Sequence, residues 1–285
     1  MRAWTKKLGL TALFMCAVSA PMLAWAQAWP TRQPIRLVAV FPPGGSVDQV
    51  ARIIAQPLSQ QLGQTVIVEN RGGASGTIGT AAVVQAPADG YIFAVVFDTF
   101  GVNPSLTPSM PFDSKKDLTP MVLVGTSPMV LATHVGSEYK TFAEVVAAAK
   151  AKKNVSFGTI GNGSLGHLAM ALLGKDANVE WTHIPYKGVA PALTDVIGGN
   201  VDYLLSTIPA CIQFIKSGQV KPIAVTSMRR APALPDVPVA NDTVAGLVGD
   251  LWVAIYAPKG VPKEMIEQMR KAIATLQTQP DMETF

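Results

Sequence analysis

Residues 35–62 read IRLVAVFPPGGSVDQVARIIAQPLSQQL, and this stretch decides the fold. Residues 35–40 form an apolar, β-branched run and predict a buried strand. Val47, Val50, Ala51, Ile54, Leu58 and Leu62 then recur at helical spacing and predict an amphipathic helix. Between them lies Phe41-Pro42-Pro43-Gly44-Gly45-Ser46, a short reversal whose glycines let backbone approach a ligand closely. Ser46 and Gln49 fit a capping box, and Asp48 suits the positive end of the helix dipole. Pro57 falls inside the helical pattern, where a kink is expected.

A strand, a Gly-rich turn and a helix in succession make the unit of a parallel α/β fold, and the rest of the chain repeats that alternation. Strands are expected at 66–69 and 92–97, with a Gly-rich loop at 72–79, which carries Thr77, leading into a second helix. Two short strands, 121–124 and 129–133, are expected on either side of Gly125-Thr126-Ser127-Pro128, which reads as a crossing between lobes. Thr141 and Glu144 fit a capping box for a helix to about residue 152. A strand at 155–159 leads into a helix at 165–173 closed by Gly174. Strands at 179–184, 201–205 and 223–226 follow, with helices after Pro191 and Pro209. Residues 250–256 return to the first lobe, and a last helix begins at Pro262. The expected architecture is α/β with two discontinuous lobes around a central cleft: residues 28–125 plus 232–285, and 126–231.

The first 26 residues read as an export signal. Arg2, Lys6 and Lys7 precede an apolar run at 8–18, too short to span a bilayer, and Ala24-Trp25-Ala26 supplies a cleavage pattern. Cleavage after Ala26 would leave 20 basic against 19 acidic residues, a formal charge of +1 rather than +4. The basic balance therefore belongs to the signal and offers nothing to a nucleic acid. Cys16 follows Met15 where a lipid-attachment site needs a small residue, so a lipoprotein is excluded. Cys211 alone remains in the mature chain, which excludes an internal disulfide; with His134, His167 and His183 scattered, no metal or other cofactor is expected. Cys211 reads as a small core residue. The chain stops soon after Pro280, as a disordered tail or a truncated fragment would.

Two strand-to-helix junctions carry the chemistry. The first is Phe41 to Ser46, with Pro43, Gly44 and Gly45 at its turn. The second is Gly161-Asn162-Gly163-Ser164-Leu165-Gly166-His167. Each would aim unpaired helix N–H groups and a partial positive charge at a shared gap, an anion site that needs no buried cation. Ser164 reads as a helix N-cap that also donates to ligand. His167 is read equally as a core or capping residue and as a ligand contact. Tyr186 and Lys187 follow a strand and wall the cleft, or Lys187 is an ordinary surface lysine. Asp98 and Thr99 end a strand at the cleft edge and are read with the same balance.

Two catalytic or cofactor readings are weaker. Gly161-x-Gly163-x-x-Gly166, with Glu180 roughly twenty residues on, matches a dinucleotide fingerprint, but an exported chain is not expected to meet that cofactor. Asn162-x-Ser164-x-Gly166 lacks the first glycine of a nucleophile elbow, and no histidine follows His183 to complete a triad. No enzymatic activity is expected; a hydrolase using Ser164 is the residual alternative.

The chain also resembles the periplasmic receptors of the tripartite tricarboxylate transporters, the Bug family. The resemblance rests on WPTRQPIRLVAVFPPGGSVDQVAR, VIVENRGGASGTIGTAAV, ADGYIFAVV, PFDSKKDLTPMVLVG, VSFGTIGNGSLGHLAM, IPYKG, PALTDVIGGNVDYLL and SGQVKPIAVTSMRRAPALPDVPV, in family order. It implies a type II periplasmic-binding fold that closes on a carboxylated metabolite. The ligand carboxylate would be held by backbone and hydroxyl groups of the loops matching Phe41 to Ser46 and Gly161 to Ser164. It further implies a monomer that hands its ligand to membrane permease subunits, or that docks on a sensor's extracytoplasmic domain. Ser206 stands where family members often carry an aspartate, which argues against recognition of a ligand amino group. A C-terminal helical tail that the resemblance implies is not found.

Overall fold

The computed structural model describes residues 29–151 and 153–279. The expected export signal and the tail from Pro280 lie outside the described residues. Three strand–helix units come first: β1 (Ile35–Ala39) with α1 (Ser46–Leu62), β2 (Val66–Asn70) with α2 (Thr77–Val84), and β3 (Ile92–Phe97) with α3 (Thr99–Leu106). Parallel pairing places β1 between β2 and β3. β4 (Leu118–His134) then leaves this sheet for a second one. There follow α4 (Phe142–Lys150), β5 (Ser156–Thr159), α5 (Leu165–Ala177), β6 (Thr182–Pro185), α6 (Val189–Ile197), β7 (Tyr203–Thr207), α7 (Ile208–Lys216) and β8 (Val220–Val225). Finally β9 (Asp250–Pro258) and α8 (Lys263–Gln277) return to the first sheet, where β9 runs antiparallel between β3 and β4. The result is two α/β lobes around a cleft, joined by β4 and β9.

The first lobe's core is built on strands buried from both faces. Ile35, Leu37, Phe93, Val95 and Ile255 are all 0% exposed, packed against Ile54 and Leu58 of α1 and Met269 and Ile273 of α8. Unbroken apolar runs are what a doubly covered sheet requires. The second sheet has a separate core on each face, one around Phe157, Met170 and Tyr203, the other around Ala192, Leu204 and Cys211. Leu234, Val237 and Val239 pack in the second of these and Leu247 in the first, so the apolar contacts of this stretch are with the second sheet. Cys211 is a free, fully buried thiol, as its sequence reading held.

Several local expectations are corrected. The two short strands at 121–124 and 129–133 are one strand of 17 residues. Gly125 to Pro128 reads from the sequence as a break between two strands at a lobe crossing, but β9 pairs with it from Val253 to Asp250 and keeps it within one strand. The helix at 165–173 runs on to Ala177 and ends at Asn178, in the left-handed region at φ 51°. Gly174 is there for close packing rather than capping: a Cβ would meet the Val179 carbonyl oxygen at 3.0 Å and the Trp181 ring at 3.1 Å. Helices expected after Pro191 and Pro209 begin before them, at Val189 and Ile208, and place each proline in a first turn, where a missing N–H breaks no helix bond. The capping box of Thr141 and Glu144 is present as expected. Among the described residues no helix is long and apolar enough to cross a membrane.

Candidate functional site

The first reversal is fixed by Asp48. Its carboxylate accepts from the Gly44 N–H at 2.9 Å, from Arg52 Nε at 2.9 Å and from Asn70 Nδ2 at 2.9 Å. Burial alone would raise Asp48, but the hydrogen bonds from Arg52, Gly44 and Asn70 outweigh it and hold the carboxyl below its ordinary range. The Ser46–Gln49 capping box is absent. The N-cap is Gly45, one residue earlier, so Ser46 already lies in the first turn, and its hydroxyl instead meets that of Thr207 from the other lobe. Replacing Asp48 with Ala strands the Gly44 amide and the Asn70 side chain. It should cost about 1–3 kcal/mol in chemical denaturation, and an unchanged midpoint would contradict this account of the turn.

Around this turn lies a partly open pocket. Three helices start at its wall. α1 contributes Gly45, Ser46 and Val47; α6 contributes Gly188, Val189 and Ala190; α7 contributes Thr207 and Ala210. Gly45, Gly188 and Thr207 are the three N-caps, and none supplies a side-chain cap to its own helix. Helix starts without side-chain caps present N–H donors and a partial positive charge. Among the described residues the lining also holds Ser206 and one charged side chain, Lys187, and no carboxylate. Its remaining wall is apolar, with Phe41 edge-on to Phe97 at 4.5 Å between ring centroids. A wider cavity adjoins it, sharing Phe41, Pro42, Pro43, Ile160 and Lys187 and adding Asn70, Ser75, Gly161, Asn162 and Tyr186.

The second reversal is arranged differently from its sequence reading. Ser164 is the N-cap of α5, accepting from the His167 N–H at 3.3 Å, but its own proton goes to the Gly161 carbonyl oxygen at 2.8 Å. The Gly163 N–H donates to His167 Nδ1 at 3.1 Å. The Leu165 N–H donates at 2.7 Å to Asp98 Oδ2, a carboxylate from the first lobe. The start of α5 is thus filled by the protein's own side chains, and no imidazole is bonded to the Ser164 hydroxyl.

Phe41, Pro43, Gly45, Gly161, Asn162, Tyr186, Lys187 and Ser206 therefore come together on the two adjoining cavities. Gly44, Gly163 and Ser164 lie in the reversals but spend their hydrogen bonds inside them. Thr77 is buried, with its hydroxyl accepting from Asn103 Nδ2 at 3.3 Å, and Thr99 is buried in the first turn of α3. His167 stacks on His183 at 4.1 Å in a separate pocket with Phe157, Lys175 and Trp181. Burial, then the neighbouring His167, pushes His183 down to about 4, so that ring is neutral near pH 7. Tyr186 donates to Asp195 at 2.6 Å; burial first and then that carboxylate push its hydroxyl up to about 12, which keeps it a neutral wall. The starts of α6 and α7, with Thr207, were not singled out from the sequence. The one local hint was proline at 191 and 209, which marks a helix's first turn but not where that turn points.

The family model for receptors of the tripartite tricarboxylate transporters matches residues 50–285. The chain is 34% identical to protein BugT of Bordetella pertussis, over 99% of this chain and 87% of BugT. Among solved structures, an adipate-bound protein of R. palustris is 32% identical with a TM-score of 0.85, covering 89% of this chain and 86% of that one. MatC from Rhodopseudomonas palustris, with bound malate, is 28% identical with a TM-score of 0.82, covering 89% and 87%. The two-lobed periplasmic-binding fold is shared throughout.

Proposed function

The chain belongs to the receptor family of the tripartite tricarboxylate transporters, and from that premise we propose that it captures a small carboxylate in the periplasm and presents it to membrane permease subunits. The observation that carries this reading is the convergence of three helix starts without side-chain caps, from both lobes, on one cavity without a carboxylate in its wall. Adipate and malate in the related structures support the ligand class. The binding group would be the amides at Gly45, Ser46, Val189 and Ile208, the hydroxyls of Ser46, Ser206 and Thr207, and Lys187, with Phe41, Pro43 and Tyr186 as walls. The lobes would divide where β4 crosses and where β9 returns.

The magnitudes are sufficient without covalent chemistry. A favourable helix end is worth up to ~2 kcal/mol, and a hydrogen bond to a charged group ~1.5–3 kcal/mol. Three such ends and a few hydroxyls, less the ordering cost, reach the ~8 kcal/mol of a micromolar complex. Calorimetric titration with mono-, di- and tricarboxylates, together with mass spectrometry of what co-purifies, tests the reading. At least one acid should bind at micromolar concentration. Silence across the whole panel with no acid recovered would overturn it.

A further inference from the structure

Three hydrogen bonds join the reversals of one lobe to those of the other. Two are between neutral groups: Ser46 with Thr207, and Ser75 Oγ donating to the Asn162 carbonyl oxygen at 2.9 Å. The third is ionisable, from the Leu165 N–H to Asp98 Oδ2 at 2.7 Å. Asp98 lies at the end of β3, is only 6% exposed, and its second oxygen, Oδ1, has no hydrogen-bond partner. Among the described residues no cation offsets it. Its own helix, α3, carries no ionisable side chain. The facing elements carry Arg36 on β1, Asp48 and Arg52 on α1, Tyr256 and Asp250 on β9, and His167, Lys175 and Asp176 on α5, and none of these acts on it. A carboxylate that gains one or two amides and loses its water resists ionisation.

We propose that Asp98 is a proton-coupled latch between the lobes: the receptor takes up a proton at this carboxyl as the cleft shuts, and closure is favoured by acid. The inference rests on the receptor reading only for the premise that the lobes part. In the shut form burial, opposed by the amides of Leu165, Thr99 and Asp98 itself, pushes the carboxyl up to about 6. With the lobes apart it meets water and returns to its ordinary value near 4. The shut form then binds more protons than the open form between those values. Its advantage is therefore largest below about pH 4 and declines as pH rises, until it is gone above about pH 6. The gap corresponds to about tenfold in the closing equilibrium between pH 7 and pH 5, approaching about a hundredfold towards pH 4.

Hydrogen exchange of the Leu165 amide in the ligand-free full chain, corrected for the intrinsic pH dependence, reads this contact directly. Protection should fall about tenfold from pH 5 to pH 7 and then level off. In Asp98→Asn, which keeps a carbonyl oxygen for the amide, it should be flat. Flat protection in the native protein, or the same slope in the variant, overturns the latch. Should the variant fail to fold, small-angle scattering of the native protein decides: a radius of gyration that does not shrink from pH 7 to pH 5 has the same consequence. A silent carboxylate titration beside a pH-linked Leu165 amide would sink the receptor reading and leave the latch, and the converse pair would sink the latch alone.

Discussion

Ser206→Asp should sharply weaken binding of acids that lack an amino group while leaving the fold intact. Ser206 is the penultimate residue of β7, is 2% exposed, and lies on the same wall as the starts of α1, α6 and α7. A carboxylate fixed there would sit where the helix dipoles and bare amides favour negative charge, and would take the place of the ligand's acid. Like charges at that range in a poorly solvated pocket cost several kcal/mol. We expect affinity for the best acid of the panel to fall by at least about a hundredfold, or ~2.7 kcal/mol. The melting temperature should hold or rise, since the new anion satisfies donors that the ligand-free protein leaves to water. Ser206→Asn, of similar size but neutral, should stay within about tenfold of the native protein. Equal affinities for the native and aspartate proteins would mean that the acid group binds elsewhere.

The largest loss of stability is expected for Phe93→Ala. Phe93 is fully buried in β3, between β1 and β9 at the centre of the first sheet. Close-packed neighbours cannot collapse into the vacated volume, so the transfer and cavity terms add to about 3–5 kcal/mol. The thermal midpoint should drop by on the order of 10 °C. Because β3 ends at Phe97 on the cavity wall, just before Asp98, ligand should protect the variant less than the native protein. Scanning calorimetry with and without the bound acid measures both; a loss below about 1 kcal/mol would contradict the packing described for this sheet.

What could be read from the sequence followed the range of the interaction. The first strand, its helix and the turn between them were legible because burial period, glycine and proline act within a few residues. So were the Thr141 box and the return of residues 250–256, an apolar run fit for the middle of a sheet. Ser46 was misread because capping depends on which residue leaves the helical region first, and that residue proved to be Gly45. Gly125 to Pro128 reads as a break between two strands until a distant strand pairs with it. The first reversal, singled out from the sequence, does line the cavity, but the second reversal was credited with amides that Asp98 and His167 consume. Asp98 lies 67 positions from Leu165, and no local pattern announces such a pairing. The same holds for α6 and α7, whose starts become a single site only once two sheets are folded.

The uninterrupted strand β4 has a mechanical consequence. A flexible linker would let the two halves swivel in any direction, but a 17-residue ribbon, bonded along its edge to β9, can only flex like a leaf spring. Its register slips between Pro120 and Val122 and again between Leu123 and Gly125, which are the soft points of the leaf. If the lobes part as proposed, opening would be confined to one arc, and the two rims of the mouth would meet in the same alignment each time they came together.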